Sequence, residues 1–487
     1  MPPISNHDSP SVVLRLTGYQ HDALIGHLLP GDHREAVAIA LCGRREGDDN
    51  AGPWGRRDIL TVHEIFPVPH ETCHLREPDC VSWPTESILP SIRKAAEHGF
   101  AVLKIHSHPA GYAAFSKRDD AADRALFPSI MGWVDDSGPH ASAIMLPQGE
   151  VIARAVYDDG KGSAFFVPVD PVVVAGDCIR IWREDEHNPK AASPAVPEFA
   201  KRHAQAFGAG TAEALRCLSV AIVGVSGTGS PAAEMLARLG VGELILLDPK
   251  IVEDKNLNRI LNATKEDIGR PKANVVAKAI QHIGIGTHVV PLARDLLDPE
   301  AVRRVALADI MFGCVDSVDG RDLMNRLATY YNLPYFDLGV RLDADGKGGV
   351  EAINGTVHYL QPDGSSLLSR GAYVPEDLRA ASLRRSDPRM YEQLRKENYL
   401  RGVREDRPAV ISVNTLVASM AVNELLARIH PYRDDPNRRF ATYRVNLNQA
   451  RLIAEPETDA CPVLASQAGR GDTTPLLDMP ALSEQLG

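Results

Sequence analysis

A chain of 487 residues is too long for one hydrophobic core, since single cores stop growing at about 250 to 300 residues, so two or three domains are expected. Hydrophobic residues at 44% and charged residues at 24% are ordinary globular values, and no run approaches the roughly 18 to 20 consecutive apolar residues of a membrane helix. A net charge of -11 argues against a general nucleic-acid binder, and seven scattered cysteines without a CxxC pair argue against a disulfide framework.

The opening stretch, MPPISNHDSPSVVLRL, has neither a basic n-region nor an apolar h-region, so a cytoplasmic location is expected. Residues 10–165 alternate short strand-like runs (EAVAIALCG, DILTVHEIF, AVLKIHSHP, ASAIMLP, VIARAVY) with polar loops and one helical stretch, TESILPSIRKAAEHG, which predicts an α+β domain. Residues 166–199 are expected to be a connecting strand and linker, because EDEHNPKAASPAVPEF, from Glu184 to Phe199, is rich in proline and charge and loses the apolar period. Residues 200–455 open with a helix over Thr211 to Cys217. A strand LSVAIVG, a glycine-rich turn, a helix AAEMLARLG and a strand ELILLD follow, a βαβ unit that predicts a doubly wound α/β sheet of Rossmann type. Residues 456–487 are expected to be a tail, loosely ordered after about Ala465.

In the first domain, the run LKIHSHPAGYAAFSKRDD carries His106 and His108 at the end of an apolar strand. Residues i and i+2 of a strand point to one side, so both imidazoles can face one metal at about 2.0 to 2.1 Å. Ser116 and Asp119 stand before the helix-like DDAADRALF. By themselves they read as a helix capping box, but Asp119 can also supply an oxygen ligand. Two histidines and an aspartate leave a fourth tetrahedral position open, which is the catalytic rather than the structural zinc pattern. The whole pattern, HSHP followed by SxxD, resembles the JAMM/MPN zinc metalloproteases. The resemblance implies that His106, His108 and Asp119 bind Zn(2+), that Glu35 before the strand AVAIALCG is the general base, and that Ser116 hydrogen-bonds the developing oxyanion.

In the second domain, Gly224-Val-Ser-Gly-Thr-Gly229 follows the strand VAIVG. Glycines let the backbone turn tightly beside phosphate oxygens, and the helix N-terminus after them favours negative charge. Ser226 replaces the middle glycine of GxGxxG, so Gly224, Gly227 and Gly229 fit a dinucleotide dehydrogenase only loosely. Asp248 ends ELILLD, where a carboxylate can accept hydrogen bonds from a ribose. Asn256 and Arg259 in DPKIVEDKNLNRI, with Lys272 in IGRPKA, form a cluster that a dehydrogenase does not need. An enzyme attacking the α-phosphate of ATP does need it, because charge builds on the phosphate oxygens. Asp316 in IMFGCVDSVDGR is placed as a magnesium ligand.

This order of motifs resembles the ThiF/MoeB-like adenylating family, over roughly residues 200 to 455. The resemblance implies that Asp248 binds ribose, that Asn256, Arg259 and Lys272 bind the phosphates of ATP, and that Asp316 binds Mg(2+). It also implies that Arg202 reaches a partner's ATP site in a homodimer. Relatives with a structural zinc use two CxxC pairs, whereas the corresponding segments here read Ser366-Leu-Leu-Ser369 and Cys461-Pro-Val-Leu464, so no second metal site is expected. No cysteine lies between 315 and 460, and Cys314 is expected in the sheet core, which leaves a thioester step without an obvious residue. Together the two resemblances imply a bifunctional enzyme of a bacterial ubiquitin-like pathway. Its partners would be a ubiquitin-like or sulfur-carrier protein with a C-terminal glycine and a conjugating enzyme, with no nucleic acid or membrane involved. Sulfur-carrier activation for cofactor synthesis, and a non-catalytic adaptor for a ubiquitin-like protein, stand as alternatives.

Overall fold

The computed structural model describes residues 11–47, 53, 55–136, 138–183, 196–345, 347–396 and 410–483. The expected linker falls largely on 184–195, outside the described residues. The chain divides into two compact units: the first takes Met1–Pro194 with Tyr330–Asn332 and Gln467–Leu477, and the second takes the remainder.

In the first unit, β1 (Ser11–Thr17), α1 (Gly18–Leu28), β2 (Val37–Arg45) and β3 (Arg57–Pro67) precede a small pair, β4 (Leu75–Glu77) and β5 (Cys80–Ser82). Next come α2 (Leu89–His98), β6 (Ala101–Ser107), α3 (Lys117–Val134), β7 (His140–Met145), β8 (Val151–Asp158), β9 (Ala164–Ala175) and β10 (Ile179–Trp182). The large sheet runs β1-β3-β2-β6-β7-β8-β9-β10, and β1 also pairs with β9, so the strands close on themselves. Alternation decides the faces: Ala36, Ala38, Ala40 and Cys42 pack with Leu24 and Leu28 of α1, while Val37, Ile39 and Leu41 pack with Ile92 of α2 and Phe127 of α3. Residues 166–182, expected as a connecting strand, supply most of β9 and all of β10, and both strands pair within this sheet.

The second unit begins with α4 (Lys201–Arg216), two helical stretches joined across a kink at Gly208 (φ +84°), and the predicted helix over Thr211 to Cys217 matches the second of them. It continues with β11 (Ser219–Val223), α5 (Gly229–Arg238), β12 (Glu243–Leu247), α6 (Lys272–Ile283), β13 (His288–Leu292), α7 (Pro299–Ala306), β14 (Ile310–Gly313), α8 (Val318–Tyr330), β15 (Tyr335–Ala344) and β16 (Val350–Leu360). Last come α9 (Pro375–Ser386), α10 (Pro388–Lys396), α11 (Ile411–Ile429), β17 (Thr442–Asn446) and β18 (Arg451–Glu455). The sheet order is β13-β12-β11-β14-β15-β16-β17-β18, parallel through β15 and antiparallel beyond it. β11 and β12 are buried along their whole length, as strands covered on both faces must be. The strand order reverses between β11 and β14, and the crevice beyond the carboxyl ends at such a point is where α/β sheets bind ligands. Among the described residues, no helix is long and apolar enough to cross a membrane.

Candidate metal centre and nucleotide site

The first site is assembled by a match of two periods. His106 and Lys104 lie two apart on β6 and point to the face covered by α3, a step of roughly 6.6 Å along a strand. Asp119 and Asp123 lie four apart on α3, a step of about 6 Å along a helix. The two ladders meet rung for rung: His106 Nε2 lies 3.1 Å from Asp119 Oδ1, and Lys104 Nζ donates to Asp123 Oδ1 at 2.5 Å. His108 stands just past the end of β6, yet its Nε2 comes within 3.1 Å of that of His106 and 3.5 Å of Asp119 Oδ2. Tetrahedral zinc ligands at about 2.05 Å stand roughly 3.3 Å apart, so these three groups fit such an ion.

Ser116 caps α3 as its sequence suggests. Its Oγ accepts from the Asp119 amide, and its own amide donates to Asp119 Oδ2 at 2.6 Å. Cap and ligand are therefore one residue pair, the box fixing the carboxylate that faces the histidines. His108 Nδ1 lies 2.8 Å from the Tyr112 carbonyl, the kind of outer contact that orients a ligating imidazole.

Glu35 is only 5% exposed, with its carboxylate 4.0 Å from His108 Nε2, and its ligand atom lies with those of His106 and His108 within 4.8 Å of one another. Ser107, between the two histidines, accepts from the Ala36 amide through Oγ and so ties the Glu35 segment to β6. Burial pushes the Glu35 carboxyl up to about 7, against the pull of His108. Burial also pulls His106 down to about 4. On His108, burial is outweighed by Asp119 and the Tyr112 carbonyl, and its pKa rises. Hydrogen bonds from both histidines and Ser116 overcome burial at Asp119 and hold it well below the usual carboxylate range.

The sequence reading missed the support beneath this site. Arg154 of β8 donates to Asp120 Oδ1 at 2.5 Å and to Asp123 Oδ2 at 2.7 Å, and its guanidinium is sandwiched between Phe115 and Phe166. A lone lysine in the apolar run AVLKIHS, two residues before His106, was the available signal.

In the second unit, each loop glycine has its own reason. Gly224 has φ +88°, and a Cβ there would meet the Cys314 carbonyl at 2.7 Å; at Gly229 one would meet the Gly224 carbonyl at 1.9 Å, and at Gly227 the Asn414 amide at 2.4 Å. Asp248, buried at the end of β12, accepts from the Val225 amide at 3.0 Å and from Lys250 at 2.9 Å, so it also shapes the loop. Asn256 is buried and its Oδ1 accepts from Glu253, fixing the turn that carries Arg259. Arg259 Cδ lies 3.5 Å from the same point beside Gly227. Lys272 opens α6, buried; burial lowers its pKa and the Asp248 charge resists that shift. Asp316 is exposed in the loop after β14, whose first residue, Cys314, donates its amide to Val223 at the end of β11. The glycine loop and the Asp316 loop are thus neighbours at the sheet's carboxyl end. Arg202 is exposed on α4, and no hydrogen bond or ion pair among the described residues joins it to this group.

Cys314 lies just beyond β14 rather than within it, half-buried, its thiol pushed up to about 12 by burial. The Ser366–Ser369 and Cys461 segments do come together: Ser366 Oγ donates to Cys461 Sγ at 3.1 Å, and Arg370 pairs with Glu457 beside them.

Known proteins share both units. A profile of the prokaryotic homologs of the JAB domain matches residues 19–154, and a profile of the ThiF family matches residues 200–463, more than half of the chain. The sulfur carrier protein ThiS adenylyltransferase of Escherichia coli (strain K12) is 34% identical over 130 residues, covering 27% of this chain and 50% of that protein. The SAMP-activating enzyme E1 of Haloferax volcanii is 29% identical over 145 residues, 30% of this chain and 50% of that one. The ubiquitin-like modifier-activating enzyme 5 of Culex quinquefasciatus is 30% identical over 162 residues, 31% of this chain and 38% of that one. The chain therefore spans half or less of the length of these curated relatives. A solved structure of MccB from E. coli with ATP is similar at 19% identity and a TM-score of 0.42, covering 56% of this chain and 76% of that one. With the glycine loop, Asp248, Arg259, Lys272 and Asp316 all inside the matched segment, and a JAB-like domain ahead of it, the chain belongs to the ThiF family.

Proposed function

We propose that the second unit binds Mg-ATP and adenylates the C-terminal glycine of a ubiquitin-like or sulfur-carrier protein. The convergence of the glycine loop, Asp248, Arg259 and Lys272 beyond the carboxyl ends of β11 and β12 carries this reading. The partner class is the one that the ThiS and SAMP relatives name for themselves. Asp248 takes the ribose hydroxyls, and the loop amides with Arg259 and Lys272 hold the phosphate chain. The substrate carboxylate attacks the α-phosphorus, the bond to the β-phosphate oxygen breaks, and pyrophosphate leaves. Asp316 would hold magnesium, which supplies positive charge to the phosphates when bound. Arg202 would act only in a homodimer, on the partner copy. Burial raises the Cys314 thiol, so a thioester step stays without an assigned residue. The test is ATP–pyrophosphate exchange with candidate carrier proteins. Exchange with one of them, lost in Asp316→Ala, is expected; no exchange with any would sink the reading.

The first unit we assign as a metallopeptidase that cuts an amide after such a glycine, maturing a precursor or releasing a conjugate. The His106–His108–Asp119 triangle carries the assignment. Zinc held there would supply Lewis acidity. Glu35, buried 4.0 Å from His108, takes the proton of the attacking water and passes it to the leaving amine. The Ser116 hydroxyl, with Oγ already fixed by the Asp119 amide, is left to donate toward the oxyanion. Cleavage abolished by chelator and by His106→Ala is expected, and chelator-resistant cleavage would refute the metal mechanism.

A further inference from the structure

The glycine loop has a neighbour that no motif announces. Asn414, in the first turn of α11, is 4% exposed, and its Nδ2 is buried without a hydrogen-bond partner among the described residues. An amide donor in that state costs stability, and native structures keep few of them. Its position is specific: Nδ2 lies 2.4 Å from where a Gly227 Cβ would stand, and Arg259 Cδ lies 3.5 Å from that same point. Helix α11 packs directly on α5, whose N-terminus follows the loop. A neutral N–H donor and the aliphatic stem of a cationic side chain therefore meet beside the glycine loop, where an anion would satisfy the first and draw the second, whose guanidinium donates to the Lys255 carbonyl and to Asn258 Oδ1.

We infer that Asn414 is a nucleotide-positioning residue, donating from Nδ2 to the phosphate chain of ATP held over Gly227. This rests on the nucleotide reading of the second unit and adds a residue to it. A neutral donor contributes direction without charge: it can fix the phosphate chain at one angle while Arg259 and Lys272 supply the field. It also accounts for glycine at 227, since any side chain would take the space into which the amide projects.

The test uses the full chain and two probes, ATP and adenosine, with binding followed by titration calorimetry and melting followed in parallel. Asn414→Asp keeps the shape and replaces the donor by an acceptor; Asn414→Leu removes the polar atoms. ATP affinity should fall by roughly 10- to 100-fold in both, more in the aspartate variant, with adenosine affinity unchanged. Without ligand, Asn414→Leu should melt no lower than the parent, because it removes a buried orphan donor. ATP affinity within twofold of the parent in both variants would overturn the proposal. So would an aspartate tolerated without loss, which would mean that the position accepts, and so would equal weakening for ATP and adenosine, the mark of a purely structural role. If the parent chain binds no ATP, the nucleotide reading itself falls and this inference falls with it.

Discussion

Glu35 illustrates how one carboxyl acquires a task from its surroundings. Burial moves it up to about 7 from an ordinary value of 4.5, against the opposing charges of His108 and, behind it, Lys104. Between those two values the folded protein keeps a proton that the unfolded chain has released. The stability this proton contributes is complete below about pH 4.5 and is lost as pH rises through 7. In the metal-free protein His106 and His140, held down to about 4 by burial, act in the opposite sense, so the Glu35 share is read by difference: Glu35→Gln should remove a downward component from the slope of stability against pH while abolishing cleavage by the metal-loaded enzyme. Denaturant titrations at pH 5 and 7.5 check the first part; an unchanged slope in the variant would remove Glu35 as its source. The proposed ligands were legible as candidates because HxH and SxxD are local patterns whose spacing translates directly into geometry. Lys104 and Arg154 were not, because their meaning lies in Asp123, 19 and 31 residues away.

At the scale of elements, the site depends on α3 lying in one register along β6. The Lys104–Asp123 pair sets that register: the two groups are 3% and 0% exposed, and Arg154 satisfies the second carboxylate oxygen. Removing one partner of a buried pair leaves an uncompensated charge, typically at about 3 to 5 kcal/mol. Lys104→Met is expected to cost that much in unfolding experiments on the first unit and to weaken zinc binding, although no hydrogen bond or ion pair among the described residues joins Lys104 to His106, His108 or Asp119, the proposed ligands. Retention of full zinc affinity would show that Asp119 is placed by its capping box alone. In the second unit the same logic applies to backbone. Gly229→Ala brings a methyl group to 1.9 Å from the Gly224 carbonyl, so the loop must move. ATP binding should be lost in this variant while the helices, followed by circular dichroism, persist. The βαβ unit was legible from its periods, whereas the stretch of α4 before its kink at Gly208 was not, because it is too short to show one.

The molecule as a whole is less sequential than its two family segments suggest. Within the tail expected to be loose after Ala465, Gln467–Leu477 belongs with the first unit. Gly43 donates its amide to the Gly469 carbonyl at 3.1 Å, Thr61 Oγ1 donates to the same oxygen at 2.9 Å, and Asp472 donates to the Arg44 carbonyl at 2.8 Å. No local pattern could reveal this, because the pairing spans some four hundred residues and uses backbone groups that every residue carries. The glycines make it possible: a Cβ on Gly43 would meet the Arg470 carbonyl carbon at 2.2 Å, and one on Gly469 the Val62 oxygen at 1.9 Å. A fragment ending at Pro194 would therefore lose these hydrogen bonds and open to water the surface that the segment covers, at a net cost of about 0.5 to 1.5 kcal/mol for each bond. Such a fragment should unfold at lower denaturant than the first unit does in the full chain, and Gly469→Val in the full chain should reproduce the loss. Equal midpoints for fragment and full chain, read from a probe confined to the first unit such as release of metal from His106 and His108, would mean that the distant segment merely rests on β2 and contributes nothing to its stability.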